Sequence, residues 1–415
     1  MSTSRSMKVF DYICDTSLLI FFPVLVVLGT NEKEYFIPVE ILFLSVFAMR
    51  FFVKRSRLSI YTIWTIGLAI LALVSTMYAP NHTSAMRWAI SVIQVSIFGN
   101  LLVPYFRDDK RNVHIFFFAF LIAISGLGIR LWLSAPLEQL MNTRLGESIG
   151  VNANHVGFLF IIGSLICLYY AVVEMKWMGL PFFLLLAGIG LFSGSRKAIL
   201  MLLVGIVLLL TLSSRKPRNA IIALFASGLI VLGILWLSFY WEPLKNVLGV
   251  RIEGLISAFT NGQGDASTEE RIAMTQFGYE MFWDKPVLGW GLHAFSDISH
   301  FAVYSHNNYI EILISWGFVG FVWYYLFLIL TIARGIWLLF SQKRTKLVVF
   351  SVAILLILCM DDFGRVRFYD EVSHILYALC YAVTVSHLPA KGIDIVSLLI
   401  KSFQRLRHSK IPTQV

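Results

Sequence analysis

Charge is scarce in this chain. Of its 415 residues only 14% are Asp, Glu, Lys or Arg, while 58% are hydrophobic, and the mean hydropathy is +0.76. A soluble chain carries about 25% charged residues, so this composition excludes a soluble multidomain protein and requires lipid around it. Cysteine is scarce too: Cys14, Cys167, Cys359 and Cys380 all lie in apolar runs, with no pair at metal or redox spacing. That argues against a disulfide frame and a zinc site. An internal repeat of fixed period is also missing, which argues against a transporter built from two related halves. Acidic residues number 24 against 34 Lys and Arg, for a net charge of +10. The basic residues stand in short clusters between apolar runs, a pattern that reports membrane orientation and not nucleic-acid binding.

What the chain does have is long apolar runs. A helix needs roughly 17 to 25 such residues to cross a bilayer, because lipid offers no partner to free backbone groups. About twelve runs meet that rule, near 11–30, 36–53, 58–78, 87–105, 112–134, 154–173, 177–193, 196–213, 219–239, 317–340, 346–361 and 373–389. The first is long, lacks a small-residue cleavage site and is followed by further spans, so it is not a cleavable signal. With the N-terminus inside, the inner connections hold Lys54-Arg55-Arg57, Arg107-Lys110-Arg111, Lys176, Arg215-Lys216-Arg218 and Lys343-Arg344-Lys346. The alternate connections are poorer in Lys and Arg, as the positive-inside rule requires. The expected fold is an all-α integral membrane protein with about twelve transmembrane helices. It divides into helices 1–9 at 1–239, a large external loop at 240–316, helices 10–12 at 317–389 and a basic cytoplasmic tail at 390–415. Lys401, Arg405, Arg407 and Lys410 in that tail read as an amphipathic segment on the anionic inner leaflet.

The external loop contains amphipathic pieces at Arg251–Phe259 and Glu269–Phe282, a Gly-rich turn at Asn261-Gly262-Gln263-Gly264 and a Trp/Gly/Pro-rich patch at Trp283–Gly291. A connection this long with its own helical patterning is usually functional.

Cations at the outer ends of spans run against the positive-inside trend. Ser193-Gly194-Ser195-Arg196-Lys197 joins two apolar runs by a tight turn and leaves two cations there. One reading is interfacial snorkelling. The other is an anion site, to which the planar, permanently charged fork of Arg is suited. Arg271 follows Glu269-Glu270 at the start of a helical pattern, where the two acids suit a helix N-terminus. Arg144 and Arg251 are further outward cations, and each arginine alone also reads as a solvated charge. His306 opens Ser305-His306-Asn307-Asn308-Tyr309-Ile310-Glu311, where the outer loop returns to the membrane beside amide and carboxylate groups able to fix its tautomer. With an ordinary pKa near 6.5 an imidazole can act as general base toward a hydroxyl nucleophile. A lone loop histidine is more often structural, and His293 and His300 share the loop. Asn152-Ala153-Asn154-His155 reads as a helix cap, and Asp361-Asp362 as partners of Arg365 or Arg367 in preference to a metal pair.

In order along the chain, Asn-x-Asn-His-x-Gly at 152–157, Ser-Gly-Ser-Arg-Lys-Ala at 193–198, Arg271, Pro286-Val287-Leu288-Gly289-Trp290-Gly291 and His306-Asn307-Asn308-x-x-Glu311 resemble the O-antigen ligase and polymerase superfamily. The resemblance covers about residues 145 to 330. It implies a metal-independent, inverting glycosyltransferase of GT-C type without a cofactor, in the bacterial inner membrane with both termini cytoplasmic and the active site on the periplasmic face. By motif, Arg196 and Arg271 would bind the diphosphate and His306 would help activate the acceptor hydroxyl, with Lys197, Arg144, Arg251, Asn307, Glu311 and Asn154 as additional site candidates.

The implied partners are an undecaprenyl-diphosphate-linked glycan as donor and acceptor, membrane lipid and a chain-length co-polymerase, with no nucleic acid. Within the family a polymerase extends one lipid-linked repeat unit from another, for O-antigen or capsule, and a ligase transfers the glycan to lipid A-core. The motifs look more like the polymerases. From a different class, a polysaccharide flippase would also carry about twelve spans, but it predicts charged or broken helices near the bilayer midplane.

Overall fold

The protein is described by a computed structural model over residues 2–29, 32–134, 145–146, 149–261 and 266–387. Among these residues all regular structure is helical. Five helices open the chain: α1 (Ser2–Val27), α2 (Lys33–Val53), α3 (Ile60–Thr76), α4 (His82–Asp108) and α5 (Lys110–Ser134). Next come α6 (Ala153–Leu168), which continues through a π-helical stretch to Val173, then α7 (Gly179–Phe192), α8 (Arg196–Ser213) and α9 (Pro217–Tyr240). The loop that follows contains α10 (Val250–Asn261), α11 (Ala266–Asp284) and the single turn α12 (Ala294–Ile298). The chain then returns through α13 (Asn308–Phe340), α14 (Lys346–Asp361) and α15 (Glu371–Val385). Eight of the described helices are long and apolar enough to cross a membrane, as in an integral membrane protein. The Gly262–Gly264 turn and the basic tail at 390–415 lie outside the described residues.

The helices start where side chains can take the free N–H groups of a first turn. Asn81 Oδ1 accepts from Ser84 N (3.1 Å) at α4, Asn307 Oδ1 from Tyr309 N (3.0 Å) at α13, and Asp370 Oδ2 from Ser373 N (2.9 Å) at α15. Several buried hydroxyls within the spans are satisfied by their own helix, as Ser75 by Ala72 O (2.8 Å) and Thr331 by Phe327 O (2.8 Å), which is the cheapest solution where water is absent.

α6 forms the interior of the bundle, with α7, α8 and α5 packed around it, and nearly every residue from Val156 to Leu168 is buried. α9 is its opposite: only Ser227 and Ser238 are buried, while Phe225, Leu229 and Leu232 are exposed. Exposed apolar surface of that extent is what a lipid-facing helix presents.

α13 is the element that positions the site. Its continuity is broken at Gly317, whose φ of 63° and ψ of −161° separate a short buried helix at 308–316 from the long helix that follows. The sequence pattern begins the tenth span at this residue. A break inside lipid would leave backbone groups without partners, and the Pro286–Gly291 turn supplies them. Trp290 N donates to Ile314 O (2.7 Å) and Gly291 N to Ser315 O (3.1 Å), while Phe318 N donates to Pro286 O (2.8 Å) and Val319 N to Val287 O (3.3 Å). Gly289 has φ 71° and lies so close to the break that a β-carbon there would meet Ile314 O and Gly317 N. Only glycine permits this backbone-on-backbone approach.

Candidate active site

The Ser193-Gly194-Ser195 turn ends α7 and starts α8. Gly194 takes φ 64°, and Ser195 Oγ accepts from Ala198 N (3.4 Å) as N-cap. Arg196 and Lys197 are therefore the first two residues of α8, at the end of the bundle from which α13 also starts. The Asn152–Gly157 motif packs directly behind them. Asn152 Oδ1 accepts from Asn154 N (2.8 Å), and a β-carbon at Gly157 would meet Ser193 Oγ and Ala198 Cβ.

Arg196 and Lys197 face a cavity of about 670 Å³ between α8, α11 and the end of α14. Arg271 lines the same cavity from α11, one turn after Thr268, and Arg196 Nη1 donates to Thr268 Oγ1 at 2.8 Å. Lys197 lays its stem over Gly364 and donates to the Gly364 carbonyl. Among the described residues three cations thus share the lining with one carboxylate, Glu280, while Tyr279, Trp283 and Phe363 give the cavity aromatic walls. The excess of positive charge in a half-apolar pocket suits an anionic amphiphile.

His306 stands at the next turn with φ 56°, its ring 4.3 Å from that of Tyr304. Burial lowers its pKa to about 4, aided by the positive fields of Arg271 and Lys197. The imidazole is near enough to both cavity cations to feel them, and it is neutral at pH 7. This revises the ordinary value near 6.5 expected from sequence: the lone pair is available, but its basicity is held down by the neighbours that would bind an anion.

The remaining candidates divide by role. Asn307 caps α13, and Glu311 is buried, accepting from Ser305 N (2.8 Å) and Ser305 Oγ (2.6 Å). Both hold the His306 turn in place. Asn154 is the second residue of α6, next to His155, which lies 2.8 Å from Arg365 Nη2. Arg144 and the side chain of Arg251 lie outside the described residues. His293 pairs with Asp297 (3.0 Å) and stacks on Trp88, and His300 packs on Phe301. None of the three histidines lines the cavity; His306 is the one linked to it, through the fields of Arg271 and Lys197.

Beneath the site is a buried ionic frame. Arg367 pairs with Asp361 and, at 2.8 Å, with Asp362. Asn308 joins the same frame, donating Nδ2–H to Tyr325 Oη (2.9 Å) and accepting from Arg367 N (2.8 Å). The two aspartates are thus arginine partners, as their spacing suggested. Arg365 turns elsewhere, to Asp370 at 2.5 Å. Burial pushes the Asp370 carboxyl up, but Arg365, His155 and the Ser373 hydroxyl outweigh it and hold the group below the usual carboxylate range. No group of three or more His, Cys, Asp or Glu side chains among the described residues could hold a metal ion.

Thr268 was not singled out from sequence; only its position one helical turn before Arg271 foreshadowed it. Arg365 was expected beside Asp361-Asp362, but its bond to His155, across more than two hundred residues, was not.

Residues 181–325, about a third of the chain, match a family model described as O-antigen ligase. That domain includes Arg196, Lys197, Arg271 and His306 and is consistent with the O-antigen ligase and polymerase superfamily, whose members are glycosyltransferase-like enzymes. No curated protein matches the chain.

Proposed function

We propose, starting from the O-antigen ligase domain at 181–325, that this protein is a polymerase of lipid-linked oligosaccharide repeat units. It transfers a glycan from undecaprenyl diphosphate to the non-reducing end of another lipid-linked repeat unit, with inversion and without a metal. The observation that carries this reading is the cavity shared by Arg196, Lys197 and Arg271, whose field reaches His306.

The chemistry follows from that arrangement. As the acceptor hydroxyl attacks the anomeric carbon, the bond from that carbon to the diphosphate oxygen breaks, and negative charge grows on the leaving group. Fixed cations at that point stabilise the departing charge, as a metal does elsewhere. The hydroxyl proton passes to His306, and attack from the face opposite the diphosphate inverts the centre. An anion between Arg271 and Lys197 offsets the positive fields that lower the imidazole's proton affinity. The base therefore becomes stronger once the donor is in place.

This GT-C-type reading takes α1–α9 and α13–α15 as its twelve spans, adding the shorter helices α3, α7, α14 and α15 to the eight that are long and apolar enough by themselves. The bundle end opposite the cavity holds the basic connections, which supports a bacterial inner-membrane protein with cytoplasmic termini and a periplasmic active site. A polymerase needs places for two lipid-linked substrates. On the other side of the Ser193–Arg196 turn an apolar cavity of about 560 Å³, lined by Trp132, Phe160, Phe192 and Trp241, could take a second polyprenyl tail. The ligase is the second reading, favoured by the description of the matching family.

Purified protein in nanodiscs, given lipid-linked repeat units alone, tests the proposal. A ladder of products that disappears in Arg196→Ala, Arg271→Ala and His306→Ala supports it. Product that forms only when lipid A-core is added supports the ligase instead. Activity that persists in all three variants removes this site from the reaction.

A further inference from the structure

A second amphipathic cavity, of about 510 Å³, lies at the opposite end of the bundle, between the start of α3, the end of α4, α13 and the end of α15. Arg334 reaches it from α13, 17 residues past the break at Gly317 and so about 25 Å along the helix. Arg107 reaches it from the last turn of α4. Phe327, Leu330 and Tyr381 supply apolar walls, and none of the described lining residues is acidic.

An arginine within an apolar helix is costly unless its charge is used. Arg334 is held in one orientation: its Nε–H donates to Thr384 O (3.1 Å), and its Nη2 lies 3.1 Å from His387 Nε2. With Nε–H committed to Thr384 O, such bracing fixes the plane of the guanidinium at the cavity wall and leaves its Nη groups to meet a phosphate oxygen. α3 begins at the same cavity with Ser59 and Ile60, adding the positive end of a 17-residue helix dipole.

The surroundings fit the same ligand. This end of the bundle contains Lys54-Arg55-Arg57, Lys110-Arg111 and Lys343-Arg344, the connections that the positive-inside rule assigns to the cytoplasm. Basic pockets between helices on that side are where lipid phosphates are bound.

We propose that the Arg107–Arg334 cavity binds the headgroup phosphate of an anionic phospholipid of the inner leaflet, with the lipid's acyl chains lying along Phe327, Leu330 and Tyr381. The site is independent of the glycosyl-transfer reading, since it uses none of the residues around His306.

The test uses the purified full-length protein and native mass spectrometry. Phosphatidylglycerol is titrated in, with phosphatidylcholine and inorganic phosphate as comparators. Arg107→Gln and Arg334→Gln should each weaken phosphatidylglycerol binding about tenfold, the loss of about 1.4 kcal/mol, while Lys110→Gln at the same membrane face leaves it unchanged. Because Arg334 also braces Thr384, Arg107→Gln decides the matter if Arg334→Gln fails to fold. Undiminished lipid binding in Arg107→Gln overturns the proposal. So does equal affinity for phosphatidylcholine, or inorganic phosphate that binds as tightly as the lipid.

Discussion

The acid limb of the pH–rate profile gives the most direct access to His306. Its pKa is lowered to about 4 by burial and by the fields of Arg271 and Lys197. A base with a lowered pKa keeps its lone pair over a wider range and loses it only as pH falls through that value. At pH 5.5 a base of pKa 4 is about 97% unprotonated, whereas one at the ordinary 6.5 is about 9% unprotonated. The profile of kcat/KM, which reports the free enzyme, should therefore stay flat from pH 7.5 to 5.5 and fall near pH 4 to 5. The donor's diphosphodiester keeps its charge over that range and does not add a limb of its own. Replacing a positive neighbour, as in Arg271→Gln or Lys197→Gln, raises the imidazole's pKa and moves the limb upward, even where the plateau rate is lower. Under saturating donor the limb of kcat should also lie above that of kcat/KM, because the bound anion offsets the same two cations. The assay is ladder formation from lipid-linked repeat units in nanodiscs, run at constant ionic strength. A limb near 6.5 in the parent that stays there in Lys197→Gln would refute the electrostatic coupling. A limb unchanged in a residually active His306→Asn variant would remove the histidine as base.

Other outcomes follow from the same geometry. Arg196→Ala and Arg271→Ala should each lower turnover by about 10² to 10³, the usual cost of deleting one donor to a developing anion, with the melting temperature measured alongside to show an intact fold. Arg196→Lys should not restore the rate, since a point charge cannot reproduce both the Thr268 bond and a two-pronged phosphate contact. Asp362→Ala removes one of the two carboxylates of the buried Arg367, which keeps Asp361, and should cost about 1 to 3 kcal/mol, read as a fall in melting temperature or in yield of folded protein. Gly289→Ala should destabilise by about 1 kcal/mol or more, because it combines a positive φ with a backbone too close for a β-carbon. Thermal melts of that variant and of Gly188→Ala, whose site is open, separate the local approach from a general glycine effect.

Much of the architecture was legible because lipid leaves few choices. Apolar length alone marked 196–213 and 346–361, which coincide with α8 and α14, and 112–134, which is α5 but for its first two residues. Helix starts were readable at Asn152, since a short amide before an apolar run has an unpaired N–H group to take. The motif residues Arg196, Lys197 and Arg271 do line one cavity. The depressed basicity of His306 was not legible, because it depends on which cations the fold brings near, and one of them is more than a hundred residues away. Nor was the support of Gly317 by the Pro286–Gly291 turn, in which neither segment carries a sign of the other.

The order of amino acids by itself determined that the chain needs a bilayer, where its helices run, which end collects the basic connections and which polar motifs stand at the other. Those properties depend on local composition and on the cost of exposing peptide groups to hydrocarbon, and both can be read along a single line. Only the tertiary structure decided that Asp361 and Asp362 turn to Arg367 while Arg365 turns to Asp370 and His155, and that Arg107 and Arg334 meet at one cavity. Such pairings depend on how helices distant in sequence pack side by side, and hydrophobic length carries no information about that.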